Sequence, residues 1–339
     1  DNSSFAANFD METAVVIGCP YDSLEALART LSDGASQGAE IIQVEDIGGV
    51  SNGEIFLHSG RTVPSEHVVS SYVRYPYDLI PPHTSTYAQR EKTEFLKSIA
   101  LLLDPVSVND IGNSWKMRNR LFSLRTADSH GVRVPDALLS SGVLRGGGAT
   151  EKESAVKAIG NCYVAPPDAS LSEELRPFVT MAEDSGESAY IFPASSLSEE
   201  EVEEYLGAVG HTFVQEAIHP AVEYRCYCIG DSAFAYRREE TDSFDRSASS
   251  YHETEYTLDR TTREGIRSVM DSMGFQYLCF DVLVTEDKSE CVIDINPFGS
   301  LPPFDQLPKA TEKLASVLLN PLDSFTTKMA SADSRTKGS

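Results

Sequence analysis

Two neighbouring segments of the sequence gather oxygen ligands. Tyr277–Thr285 and Cys291–Asn296 are apolar runs flanking the polar turn Glu286–Ser289, the pattern of a β-hairpin. A symmetric turn centred on Asp287–Lys288 sets Asp281 opposite Asp294 and Cys279 opposite Asn296. One face then carries Phe280, Val282, Val284, Cys291, Ile293 and Ile295, and the other carries Asp281, Asp294 and Asn296. A one-residue slip would mix the two sets, so the alternation supports this register. Carboxylates placed opposite each other repel. Magnesium resolves the repulsion, because it takes one or two protein carboxylates and completes its shell with phosphate oxygens and water. The run Asp294–Pro297 (DINP) favours the metal. The competing reading leaves both acids solvated or paired with Lys or Arg.

A second hairpin, Glu223–Glu239, turns at Gly230–Asp231, a dipeptide that suits a two-residue loop. Such a loop sets Glu223 against Arg238 and Arg225 against Tyr236 on one face. The other face holds Tyr224, Cys226, Cys228, Ala233, Ala235 and Arg237. The polar face is either an exposed ion-pair ladder of little energetic weight or a wall turned toward a nucleotide. The hairpin alone does not decide.

The basic residues Lys116, Arg118, Arg120, Arg125 and Arg133 cluster in a chain whose net charge is −24. They fall on an expected helix, Trp115–His130, and just beyond it, where Gly131 and Pro135 stop it. Either they form a solvated face or they offer a surface to phosphates or an acidic substrate. Lys157 stands in the short strand Ala155–Ile159. The glycine-rich stretch at Gly146–Gly148 lacks the GK[ST] of a phosphate loop and reads as a flexible linker. No GxSxG or HExxH is present, and the seven histidines form no catalytic spacing.

The elements that must position these groups follow from periodicity. Expected strands are Thr13–Gly18, Glu40–Val44, Glu54–His58, His67–Tyr75, Val106–Asn109 and Thr212–Ile218. Expected helices are Leu24–Leu31, Tyr87–Leu103 and an acidic one at Glu199–Leu206. No GxGxxG follows the first strand, which argues against a dinucleotide fold. This pattern is α/β (α+β), divided into a loose polar leader (1–10), a small α/β domain (11–105), a central subdomain (106–210), a C-terminal subdomain with the metal site (211–322) and a polar tail (323–339). With 339 residues and 41% hydrophobic content, two or three globular domains fit.

The acidity excludes nonspecific nucleic-acid binding, which needs phosphate neutralisation. No apolar run approaches the roughly 20 residues of a membrane span, and the start lacks a secretory layout. The six cysteines, Cys19, Cys162, Cys226, Cys228, Cys279 and Cys291, form no CxxC. They read as reduced core thiols of a cytoplasmic protein rather than a zinc site.

In this order and spacing, the motifs between Val106 and Leu319 resemble the ATP-grasp superfamily, with a preceding α/β domain. The resemblance implies ATP and Mg2+ as cofactors, with Asp281, Asp294 and Asn296 on the metal. It implies Lys116 and Lys157 at the ATP phosphates, the strand Gln215, Glu216, Ala217 and Ile218 at the adenine, and Glu223 on the ribose. Arg238 would hold the terminal phosphate or acyl phosphate, and Arg225 matches the arginine of an acidic-x-Arg motif. Within the superfamily the segments Phe213–Ala235 and Val73–Pro81 resemble the peptide- and protein-modifying branch, which includes graspetide macrocyclases of microviridin type and ribosomal-protein glutamate ligases. Asp294 stands where glutamate is commoner, and few glycines follow Lys157.

The implied function is an ATP-dependent ligase that activates a carboxylate as an acyl phosphate and joins it to a hydroxyl or amine. The favoured partner is a ribosomally made precursor peptide, with Arg118, Arg120, Arg125 and Arg133 as its basic docking surface. Asp281 or Glu239 is left as general base, and a homodimer follows from the resemblance alone. The alternatives are a ligase joining free amino acids or small acids and amines, and a non-catalytic nucleotide-binding protein.

Overall fold

The computed structural model describes residues 13–18, 25–34, 39–51, 53–73, 87–140, 154–157, 191–193, 212–216, 218, 222–238, 251–254, 256–297 and 308–319. The expected leader and tail, Gly146–Gly148, the helix Glu199–Leu206, the residues after Val73 in Val73–Pro81, and Ala217 and Glu239 lie outside them. The chain divides into two compact units, one of Asp1–Pro76, Glu94–Ile111 and Leu301–Ser339, the other of Tyr77–Thr93 and Gly112–Ser300.

In the first unit the short apolar run β1 (Thr13–Gly18) is the middle of a parallel sheet. It is followed by α1 (Glu25–Gly34), β2 (Ala39–Gln43), β3 (Ile47–Ser51), β4 (Glu54–Leu57), β5 (Thr62–Pro64) and β6 (Val68–Val73). The parallel order is β2-β1-β6, and β3-β4-β5 form a separate antiparallel sheet. Val15, Leu27, Leu31 and Ile42 are fully buried, each worth about 1.5–3 kcal/mol of transfer. Helix α2 (Tyr87–Leu102) follows.

The strand expected at Val106–Asn109 is instead a 3-10 turn, Asp104–Val106, and a single bridge from Ser107 to Ser71. Pro105 starts the tight turn. The Asp104 carboxylate then accepts from the Ile111 amide at 2.8 Å, which turns the chain into the next helix instead of extending it.

The helix expected at Trp115–His130 is two helices, α3 (Ile111–Met117) and α4 (Arg120–Ser129). Asn119 is the cause. Its backbone is extended and its side chain accepts from the Phe122 amide at 2.9 Å, an N-cap in the middle of the expected helix. On one continuous helix Lys116 and Arg120 would share a face; the break lets them diverge.

Beyond α4 lie β7 (Ala137–Ser140), β8 (Ser154–Lys157), β9 (Ile191–Pro193) and β10 (Thr212–Glu216), an antiparallel sheet in the order β7-β10-β8-β9. A five-stranded antiparallel sheet is built from β11 (Val222–Ile229), β12 (Ser232–Arg238), β13 (Tyr251–Glu253), β14 (Tyr277–Val284) and β15 (Glu290–Asn296), in the order β13-β12-β11-β14-β15. Helix α5 (Arg260–Met273) precedes β14. Asp259 caps its start and left-handed Gly274 its end.

One face of this sheet is the core of the unit. Cys226, Cys228, Ala235, Leu278, Phe280, Val282, Val292 and Ile295 cluster there with Ile266, Val269 and Met270 of α5 and with Met117, Ala127 and Val132. Close approach needs Gly265: a Cβ there would lie 2.5 Å from Val132 Cγ2 and 2.9 Å from the His130 carbonyl. Helix α6 (Pro308–Leu319) belongs to the first unit, where the buried Ser70 hydroxyl donates to the Leu318 carbonyl.

Candidate active site

The two hairpins of the five-stranded sheet set its second face. In the first, Ile229 pairs with Ser232 around Gly230–Asp231, and Gly230 takes the positive φ of 57° that a two-residue loop requires. Arg225 stands opposite Tyr236, as expected. Arg238 reaches across to Glu223, with Nη1 3.0 Å from Oε2.

The second hairpin keeps the expected acid pair by an unexpected route. Asp281 is opposite Asp294 and Cys279 opposite Asn296. The loop, however, is not symmetric about Asp287–Lys288. The Lys288 amide bonds the Thr285 carbonyl, Lys288 is left-handed at φ 66°, and Thr285 closes onto Ser289. Glu286–Lys288 is therefore a three-residue loop. Asp287 fixes it by accepting from the Ser289 amide and hydroxyl and from the Thr285 hydroxyl. These bonds, the Thr285 hydroxyl foremost, hold the Asp287 carboxyl down at about 2.

An odd loop would put Asp281 out of step with Asp294. A β-bulge restores it: Val282 pairs with Val292 while Asp281 pairs with Asp294, so Ile293 faces no residue in the ladder. The apolar face expected from strict alternation is accordingly split. Phe280, Val282, Val284 and Ile295 lie in the core with Val292. Cys291 and Ile293 join Leu283 in a separate cluster, against which Ile218 packs.

Strand β14 lies beside β11, and this places Arg225 directly across from Asp281. The guanidinium grips both carboxylate oxygens, with Nε 2.8 Å from Oδ1 and Nη2 2.9 Å from Oδ2. The Asp281 side chain is 5% exposed and that of Arg225 16%. Asp294 is more open, at 31%, and Arg120 reaches it with Nη1 3.4 Å from Oδ1. Asn296 is half-buried two residues further along. Two carboxylates and an amide oxygen are the hard donors that magnesium takes, so the donor set fits that ion. The arginine pairing weighed for these acids is present as well.

The remaining predicted residues fall in three groups. Gln215 is buried on β10, between Ala137 and Ala155. Glu216 exchanges backbone and side-chain bonds with Asp136. Burial foremost, opposed by the Arg133 charge and aided by that of Glu216, pushes the Cys291 thiol up to about 11. With Ile218 this brings the adenine-strand candidates beside the tip half of β14–β15. The Lys157 backbone pairs with Phe213, two residues from Gln215.

Lys116, by contrast, is exposed and bonds Asn113 at 3.0 Å. It shares a cleft of about 540 Å³ with Asn119, Leu121, Phe122 and exposed Arg125. The four arginines read as a peptide surface sit in different surroundings. Arg120 turns to Asp294, Arg118 is half-buried, and Arg133 bonds Ser289 at the hairpin tip.

Two further features escaped sequence reading. A cleft of about 450 Å³ lies along the first hairpin's tip and α5, lined among others by Gly230, Phe234, Tyr256, Arg263 and Arg267. Buried Glu290 accepts from the Tyr256 hydroxyl and from the Asp259 amide. Tyr256 also stacks on Tyr224, centroids 4.0 Å apart. Burial foremost, then Glu290, raises the Tyr256 phenol. An acid ending a hairpin turn carries no signal that it will be buried.

No protein-family model and no curated protein matches the sequence. Solved structures do match. The macrocyclase MdnC from Microcystis aeruginosa, bound with precursor peptide MdnA, is 15% identical over 91% of this chain and 100% of its own, with a TM-score of 0.63. A RiPP-associated ATP-grasp ligase from Chryseobacterium gregarium, in complex with ADP and a leader and core peptide, is 12% identical over 91% and 97%, at 0.65. The ATP-grasp ligase PsnB, complexed with minimal precursor, Mg and ADP, is 17% identical over 93% and 99%, at 0.62. At such identities the likeness is one of fold.

Proposed function

We infer that this chain, which has the ATP-grasp fold, is an ATP-dependent carboxylate ligase acting on a ribosomally made precursor peptide. The observation that carries the reading is the register of the second hairpin: Asp281 opposite Asp294, Asn296 opposite Cys279, and three arginines directed at the carboxylates of the same face. The peptide follows from the neighbours of the same fold, several of which are complexed with precursor peptides.

Asp281, Asp294 and Asn296 would hold magnesium, which supplies charge neutralisation at the phosphate oxygens. A substrate carboxylate oxygen attacks the γ-phosphorus of ATP; the O–P bond forms and the bond to ADP breaks. A hydroxyl or amine then attacks the acyl carbon, giving ester or amide, and phosphate leaves. Phosphoryl transfer asks mainly for positioning and countercharge. Arg225, Arg238 and Arg120 pair with carboxylates of this face, and a guanidinium can fork onto phosphate as Arg225 forks onto Asp281. Glu216 and Ile218 border it where the adenine strand is expected. Lys116 and Lys157 remain the lysines proposed for the phosphates, and Arg118 and Arg125 part of the proposed docking surface.

The free, buried thiols Cys226, Cys228, Cys279 and Cys291 fit a reducing, cytoplasmic setting. Among the described residues no helix is long and apolar enough to cross a membrane.

The test is ADP release across candidate precursor peptides and across free amino acids. Peptide-dependent release that falls to background in Asp294→Ala and Asn296→Ala supports the reading. Robust turnover in both variants sinks the metal assignment, and release driven by free amino acids replaces the peptide with a small acid.

A further inference from the structure

Among the described side chains, acids of the polar face are already paired with cations before any ligand is considered. Around the paired acids, Arg225 holds Asp281, Arg120 reaches Asp294 and Arg238 holds Glu223, three guanidiniums on three carboxylates. The grip on Asp281 is the tightest. It uses both oxygens, it joins directly paired residues of β11 and β14, and neither side chain is more than 16% exposed. A divalent ion arriving alone must compete with that guanidinium for the same oxygens, and it leaves three arginines facing two added positive charges. A metal arriving with a polyphosphate brings anionic oxygens onto which a guanidinium can turn.

We propose that Arg225 is a place-holding cation for Asp281, so that this face admits a divalent metal together with a polyphosphate and resists the metal alone. Arg225 is thereby a positioning residue that sets the order of loading. The metal and nucleotide enter as a unit, and the arginine released from Asp281 becomes available to the transferred phosphate. The inference rests on the reading of Asp281, Asp294 and Asn296 as metal ligands.

The probe is MnCl2, whose free-ion electron paramagnetic resonance signal falls on binding, titrated into the full chain with and without ADP, each titration being read against the same mixture without protein because ADP alone also binds Mn2+. Wild type takes up Mn2+ at least tenfold more tightly with ADP than without. In Arg225→Met the affinity for Mn2+ alone rises at least tenfold. Arg225→Lys, which keeps the charge but cannot span both oxygens, lies between the two. Arg237→Met removes the same charge at an exposed position of β12 that points away from the face of Asp281 and changes uptake less than twofold. Should Arg225→Met fail to fold, as judged by Trp115 fluorescence, Arg225→Lys decides alone. Unchanged or weaker uptake of Mn2+ alone in the Arg225 variants overturns the proposal, because Arg225 then orients Asp281 rather than guarding it. A wild type that takes up no Mn2+ even with ADP overturns the ligand assignment itself.

Discussion

Asp281 and Asp294 look equivalent in the sequence, yet their removal should affect stability very differently. Asp281 is nearly buried and gripped by two bonds from a nearly buried arginine. Truncation in Asp281→Ala strands that guanidinium, and losing one member of a buried pair costs roughly 3–5 kcal/mol. Relief of the repulsion from Asp294 returns about 0.2–1 kcal/mol, leaving a net loss of about 2–5 kcal/mol. Asp294 is 31% exposed and Arg120, its partner among the described residues, lies 3.4 Å away, so Asp294→Ala costs about 0–1 kcal/mol. Urea unfolding separates the two. With a slope of about 1–3 kcal/mol per molar, the midpoint of Asp281→Ala falls roughly 0.3 M to several molar below that of Asp294→Ala. The single tryptophan, Trp115, lies in the same compact unit as the sheet and reports on that unit alone, which matters because two units need not unfold together. The double replacement Arg225→Met with Asp281→Leu recovers most of the loss, since the desolvation of both charges disappears. Equal midpoints for the two alanine variants, or a double variant no better than Asp281→Ala, would refute the buried-pair account.

Four other outcomes are expected. Arg120→Ala weakens ADP binding in the presence of Mg2+ by about tenfold or more, the effect of one charge-assisted bond, and Lys116→Ala, which removes a lysine proposed for the phosphates, weakens it by a similar factor; calorimetry with ADP checks both. Asp259→Ala removes the cap on the Thr261 amide and lowers the Trp115-detected stability by about 1 kcal/mol. Gly265→Ala destabilises although alanine favours helix by about 1 kcal/mol; its methyl meets the His130 carbonyl, a backbone atom, and overpacking costs about 1–3 kcal/mol. Stability also falls on the alkaline side. Burial pushes Cys228 and Cys279 to about 12, from an ordinary value of 9.0, and raises Cys226 as well. Only the unfolded chain sheds these protons between pH 9 and 12, so their contribution is whole below pH 9 and is lost as pH rises toward 12; urea midpoints at pH 8 and pH 10.5 test the sign.

The hairpins were legible because the sequence alternates on both sides of Gly230–Asp231 and of Glu286–Ser289. The bulge was not, since Cys291, Val292, Ile293 and Ile295 are all apolar and strict alternation cannot tell which of them changes face. The bond between Arg225 and Asp281 was hidden for another reason. It depends on β14 lying beside β11, a pairing that brings together residues 56 apart and that no local pattern encodes. Periodicity joined α3 and α4 into one helix, because Asn119 is tolerated inside a helix as well as at its start. The cap, and with it the divergence of Lys116 from Arg120, is visible only once the Phe122 amide is seen to need a partner.

Ile293, opposite no residue of the ladder, separates the register of the hairpin's tip from that of the acids. Because a one-residue slip in a ladder reverses every side chain beyond it, most two-stranded ligand sites cannot tolerate a change in loop length. Here the slack sits between the loop and the acids. A residue gained or lost near Asp287 can be taken up at the bulge while Asp281 still meets Asp294. Lineages could thus remodel this tip, or an experimenter could graft a tag there, without detuning the chemistry a few residues away.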